Sequence, residues 1–370
     1  LMRMCFTRAF RYRAFRYRAF RHRAVQVCAV LLCVGLAACS DGIDNEADAT
    51  EAAPSAVASA HDELAAASAA TQCAERSARD AHDEVWLADA TIVVGSNTTY
   101  PEEAPATTVD VPGFWIDTYE VTNAQFAEFV RQTGYITTAE QQPDPAQYSD
   151  IPAELLKPGS AVFARPRATN FRHWTEWWRF AEGASWRTPH GPGSSIQGLE
   201  HHPVVHVSYL DAKAYATWRG RTLPTEAQWE RAASVGAAGD GASRHANTWQ
   251  GFFPLQNTAL DGYQASAPVG CFRPNDAGLH DMIGNVWEWV SDEYVPHHRL
   301  MRRDGSVDLT ATGQRRTGIV SRVVKGGSFL CASSYCQRDR AQGRQPQEED
   351  FGAIHIGFRT VRISNAKAGL

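Results

Sequence analysis

The chain has 370 residues, with 36 Lys+Arg against 41 Asp+Glu and a formal net charge of −5. At 44% hydrophobic and 21% charged residues it is not a wholly disordered chain, and its mild acidity argues against nucleic acid as the main partner. The average conceals a split: residues 1–38 hold eight Arg and no acid, leaving 28 basic against 41 acidic residues beyond them, the mark of an addressing segment.

That segment opens with AFRYR, AFRYR and AFRHR at residues 9–13, 14–18 and 19–23. A five-residue period matches neither a helical nor a strand face, so the repeat supplies charge rather than a solenoid. The apolar run Val25 to Ala38 follows, shorter than the roughly 18 residues a membrane span needs. Basic residues, a short apolar run and small residues before a break are what an export signal requires. The ending Leu36-Ala37-Ala38-Cys39 resembles the bacterial lipobox. This resemblance implies lipid on Cys39 and an exported protein, anchored in a membrane and facing the periplasm or cell exterior. Residues 1–39 are therefore expected to be a lipoprotein-type signal.

Residues 40–85 are rich in Ala, Asp, Glu and Ser and poor in large apolar side chains. Such a stretch buries too little surface to offset its ordering entropy and is expected to be a flexible tether. The body then runs from 86 to 370, about 285 residues, near the upper limit for one hydrophobic core. Four cysteines lie beyond Cys39: Cys73, Cys271, Cys331 and Cys336.

Short helices are readable in the body. Thr122 can cap a helix with Phe126, Phe129 and Val130 on one face and Gly134 at its end. Ser208 opens another, with Leu210, Ala214 and Trp218 expected inward and Gly220 beyond its end. Thr225 to Gln228 has capping-box spacing, followed by Trp229 and Ala232 on one side. The apolar runs Val204–Val207 and Gly357–Val361 read as strands. With Gly- and Pro-rich stretches between, the expectation is α+β with much irregular structure. No GxSxG, P-loop or GxGxxG stands in this body, so those hydrolase, NTPase and dinucleotide signatures are missing.

Cys331 and Cys336 lie five apart in KGGSFLCASSYCQRDR, with Arg338 and Arg340 placed to favour a thiolate. Spacing leaves two readings open: a local disulfide, or a site for a thiophilic ion such as Cu(I). A closed zinc site needs four ligands and finds no second CxxC. Cys271 reads as a buried thiol. His201, His202 and His206 read as part of a strand rather than a metal site, and His297 and His298 as solvated loop residues.

The segment from Lys325 to Cys336, with Arg344 and Gly357-Phe358-Arg359, resembles the active-site region of the formylglycine-generating enzyme, or sulfatase-modifying factor, family. Phe114–Asn123, His202–Ser208, Arg221–Glu230 and Gly284–Trp289 agree with other blocks of that family. The resemblance spans roughly residues 90–362. It implies an irregular α+β fold of the C-type-lectin-like kind and O2-dependent oxidation of a cysteine, in a CxPxR-type segment of sulfatase-like polypeptides, to Cα-formylglycine. It implies Cu(I) on Cys331 and Cys336, an oxygen pocket bordered by Ser328 and Trp287, and a substrate groove bordered by Tyr335 and Arg344. It also implies two structural Ca²⁺ sites, one from Asn247, Thr248, Asp261 and Tyr263, the other from Asp281, Gly284, Val286 and Glu288. The chain departs at Ala341, where the vertebrate enzyme has a stapling cysteine, and at His355, where Asn is common. Two other functions fit the same scaffold: a non-catalytic binding lipoprotein, which predicts a Cys331–Cys336 disulfide, and a related periplasmic oxidase with a different target.

Overall fold

The computed structural model describes residues 73, 83–148, 151–166, 176–236, 246–308 and 320–363. The signal segment with Cys39, and the tether except Cys73 and residues 83–85, lie outside them.

Three short helices start on side-chain caps. Thr122 and Gln125 form a reciprocal capping box on α1 (Asn123–Thr133), which ends at Gly134 with φ 69°. Ser208 and Asp211 do the same for α2 (Tyr209–Trp218), and Thr225 and Gln228 for α3 (Glu226–Ala233). Each box satisfies amide groups that a helix start leaves open. Of the residues expected inward on α2, Ala214 and Trp218 do pack against the core, but Leu210 does not. Tyr209, Ala212, Tyr215 and Ala216 are buried, whereas Leu210 is 44% exposed. Tyr215 selects that face, with its ring 5.9 Å from Phe126 and 5.3 Å from Phe358. Asp211 is buried with it, accepting the amide of Thr138 and the hydroxyl of Tyr135.

The strands are β1 (Glu84–Leu87), β2 (Ala90–Val94), β3 (Thr107–Val111), β4 (Phe114–Asp117), β5 (Gly159–Phe163), β6 (Trp178–Glu182), β7 (Trp287–Glu293), β8 (Ser321–Lys325), β9 (Arg344–Glu348), β10 (Ile356–Gly357) and β11 (Val361–Ile363). They form one sheet ordered β10-β7-β8-β9, a second ordered β1-β4-β11, and the pairs β2-β3 and β5-β6. In the four-stranded sheet only the β10-β7 contact is parallel. The run Gly357–Val361 is thus not one strand. Gly357 ends β10, the chain turns through residues 358–360, and Val361 begins β11 in another sheet. Val204–Val207 is not a strand either. His206 has φ 61°, and the amides of Val204 and His206 donate singly to Val121 and Ala353.

Two apolar cores lie between these elements. One packs β1 to β4 against α3 around Phe114, Ile116 and Trp229. The other joins α1 and α2 to β5 and β6 and holds Cys331, Cys336, Trp177, Trp178, Trp249, Phe253 and Trp287. Cys271 is not a free thiol: it forms a disulfide with Cys73, across a sequence separation of 198. The body therefore grips the chain at Cys73, ahead of residue 86, where composition begins to change.

Candidate active site

The cysteine loop leaves the end of β8 through Gly326 and Gly327, at φ 97° and 79°. A Cβ on Gly327 would lie 2.9 Å from the Asp339 Cα and 3.2 Å from Cys331 Sγ, so only glycine fits this left-handed position. Two tight turns follow, in which Cys331 donates its amide to the Ser328 carbonyl and Cys336 donates to that of Ala332, both at 2.8 Å. They bring Cys331 Sγ and Cys336 Sγ to 3.2 Å, both as free thiols. The local disulfide is absent, and the sulfurs lie within hydrogen-bond distance of each other. The hydrogen bond from Cys331 lowers the Cys336 pKa against its burial, and Arg338 adds to this. Cys331 moves up, through that same bond and its own burial. The two sulfurs are thus unequal, Cys336 the more acidic and Cys331 the less.

Trp287 arrives by backbone pairing. Gly284 donates to Gly326, Phe329 donates to Asn285 and Trp287 donates to His355, at 3.0, 2.9 and 2.8 Å. Ser328 is buried on the same loop, its Oγ 3.4 Å from His355 Nδ1 and accepting the Leu330 amide at 3.2 Å. Burial, then the proximity of His206, pushes His355 down to about 3, so this imidazole is neutral at pH 7. Tyr335 is stacked on Phe253 at 4.4 Å with Trp177 edge-on at 5.8 Å, against the apolar core that holds both sulfurs. Cys331 is 2% and Cys336 6% exposed.

Arg344 does not border a groove. It is buried, donates twice to Glu226 at 2.8 and 3.0 Å, and also reaches the carbonyls of Glu102 and Val295. Its guanidinium is consumed in holding the core. Burial pushes the Glu226 carboxyl up, but Arg344 and Lys325 reverse this and hold it well below the usual carboxylate range. His298, expected in solvent, is buried beside Glu226. His206 is closed by Ser160 and the Pro189 carbonyl, leaving no ligand role.

The residues of both implied Ca²⁺ sites offer oxygen donors that suit a hard cation. Asn247 Oδ1 is buried without a hydrogen-bond partner, while Asp261 accepts the amides of Thr248 and Tyr263. A Cβ on Gly284 would collide with the Asn247 carbonyl, which ties the two sets together. Asp281, at φ 55°, has one buried oxygen without a partner, and burial pushes it up to about 6. Glu288 fits less well, since Arg359 and the Trp229 indole N–H already engage it. Glu120, which the sequence reading did not single out as a ligand, has a buried oxygen with no partner and is pushed well up by burial and by Asp281. Among the described residues no three His, Cys, Asp or Glu side chains form a metal cage by themselves, so a cation here would depend on main-chain oxygens.

A pH dependence follows from three buried imidazoles. Burial pushes His202 to about 4 and His206 and His355 to about 3. An unfolded chain protonates them from about pH 6.5, so their contribution is complete above that pH and is lost as pH falls toward 3–4. Between pH 7 and 5 each costs about 2 kcal/mol. Asp281 and Asp292, both pushed up to about 6 by burial, oppose this by about 1 kcal/mol each. Glu120 and other buried carboxyls pushed up by burial oppose it further, so the test isolates one imidazole. In urea unfolding of calcium-free protein, His355→Asn should lose about 2 kcal/mol less stability between pH 7 and pH 5 than the unsubstituted chain. An equal loss would contradict the assignment.

The fold and the cysteine loop define the class, an irregular α+β scaffold presenting a buried dithiol, and comparison with known proteins gives the family. Residues 69–364 match the family described as "Sulfatase-modifying factor enzyme 1-like domain", and the chain belongs to it. It is 48% identical over 282 residues to the formylglycine-generating enzyme of Mycobacterium tuberculosis, covering 72% of this chain and 93% of that one. It is also 36% identical over 267 residues to the Bos taurus protein named inactive C-alpha-formylglycine-generating enzyme 2, covering 70% and 79%. Among solved structures, PvdO from Pseudomonas aeruginosa shares the fold, with a TM-score of 0.54 and 24% identity over 78% of this chain and 97% of that one.

Proposed function

We propose that this protein is a copper-dependent oxidase that uses O2 to convert the cysteine of a CxPxR-type segment in sulfatase-like polypeptides to Cα-formylglycine. The observation that carries the reading is the buried pair of free thiols at 3.2 Å, on a loop that only glycine can enter. Two adjacent soft sulfurs, one of them made more acidic by the other, suit Cu(I). Cys331 and Cys336 would hold the ion, giving up their thiol–thiol contact to do so. Bound copper would supply affinity for a third thiolate and for O2.

The chain's own groups do the rest. Cys336, the more acidic of the pair, would be the first sulfur to offer a thiolate. Neutral His355 fixes the Ser328 hydroxyl, and Trp287 closes the pocket behind it. The Tyr335–Phe253 stack excludes water and must swing aside to admit the substrate cysteine. Ca²⁺ on the Asn247–Asp261 and Asp281 sets would stiffen the loops that carry Trp249 and Trp287. Lipid on Cys39 would hold the enzyme outside the cytoplasm. The Cys73–Cys271 disulfide supports export, because such bonds persist in oxidising compartments.

The test is the full-length protein, loaded with Cu(I) and incubated in air with a CxPxR peptide. An aldehyde that couples to a hydroxylamine probe is expected. No aldehyde with one copper verified per chain would end the oxidase reading. The burial of both sulfurs favours the alternative, a non-catalytic scaffold, for which Cys→Ser at both positions changes nothing that can be measured.

A further inference from the structure

A second segment reaches the cysteine loop from 236 positions upstream. Tyr100 and the single 3-10 turn Pro101–Glu103 lie against the residues that follow Cys336. The Tyr100 hydroxyl accepts the Gln337 amide at 3.3 Å, and its ring lies 4.0 Å under the Arg338 guanidinium. Glu102 Oε1 takes Arg338 Nη2 at 2.5 Å, and the Glu102 carbonyl accepts Arg344 Nη1 at 2.9 Å. Glu103, fully buried, pairs with Arg340. Arg338 Nε closes back on the Arg344 carbonyl at 3.2 Å.

The stretch from Gln337 to Arg340 belongs to no strand or helix, so no ladder of backbone bonds sets its position. Its place is set by these side chains. The Arg338–Glu102 pair is largely buried, with side chains 13% and 20% exposed, where losing one partner is costly. Cys336 stands immediately before this stretch: its amide donates to the Ala332 carbonyl, and its sulfur takes the backbone N–H of Arg338, so the position of Arg338 bears directly on that sulfur.

We propose that Tyr100 and Glu102 are positioning residues, a clasp that holds the return after Cys336 so that its sulfur stays against that of Cys331. The inference deepens the copper reading, yet its first test does not depend on copper. The probe is phenylarsine oxide, which binds tightly only where two thiols can grip one arsenic. Binding is measured on the full chain with the Cys73–Cys271 bond intact, as the part lost in a Cys331→Ser, Cys336→Ser control. Glu102→Gln and Tyr100→Ala should each weaken that binding about tenfold or more, near 1.4 kcal/mol. Arg338→Gln should weaken it likewise, and adding it to Glu102→Gln should cost little more than either alone, since both remove one contact. Unchanged capture in both Glu102→Gln and Tyr100→Ala overturns the proposal. So does full additivity of the two Gln changes, which would mark general softening. Cu(I) competition on the same proteins separates the two ideas: if the arsenical tracks the clasp while no form retains Cu(I), the positioning role stands and the copper reading falls.

Discussion

Cys336→Ser is expected to abolish Cu(I) retention and to lower aldehyde formation by about 10³-fold or more. Serine keeps the shape of the side chain but presents a hard, protonated oxygen, and Cu(I) selects sulfur. Their different surroundings make the two cysteines unequal. Cys336, with its thiol held down by Cys331 and Arg338, is the more acidic sulfur. Removing it leaves Cys331 alone in an apolar pocket, where burial keeps it protonated. Cys331→Ser removes the proton partner instead and should leave weak one-sulfur binding. The pair of variants is read by bound copper per chain and by initial rates. If Cys336→Ser retains stoichiometric copper, the two sulfurs are not the site.

Glu226→Gln should destabilise the fold by about 3–5 kcal/mol, among the larger effects a single exchange can have. Glu226 is fully buried and engages Arg344 twice, with Lys325 at 3.5 Å and His298 beside it. An amide of the same shape leaves the Arg344 guanidinium in the interior without a counter-charge. In a body of this size the loss corresponds to a fall in Tm of roughly 10 °C. Breaking the solvent-exposed Glu128–Arg131 pair on α1 by Arg131→Gln should not move the transition detectably. Equal behaviour of the two variants would show that the interior network contributes little.

What could be read from sequence was local. The capping boxes at Thr122, Ser208 and Thr225 depend on residues three apart, and all three formed. The cysteine loop was legible for the same reason, since its two glycines, two short turns and both sulfurs lie within one short run of the sequence. The inward face of α2 was not, because Tyr215 is drawn in by Phe126 and Phe358, far away in the chain. The strand expected at Val204–Val207 failed because its amides find scattered carbonyls and His206 turns left-handed. Arg344 looked free for substrate only because its partner Glu226 lies 118 positions earlier. Cysteine count alone could not pair Cys73 with Cys271.

That bond also fixes a mooring point. Were lipid carried on Cys39, the line between bilayer and body would run through 34 residues to Cys73, rather than 45 to Glu84. At no more than about 3.6 Å per residue, its greatest length is near 120 Å instead of about 160 Å. Reducing the bond would pay out roughly 40 Å of extra line. On that footing, the radius within which a client would have to pass the membrane surface would be set by a crosslink remote in sequence from Cys331 and Cys336.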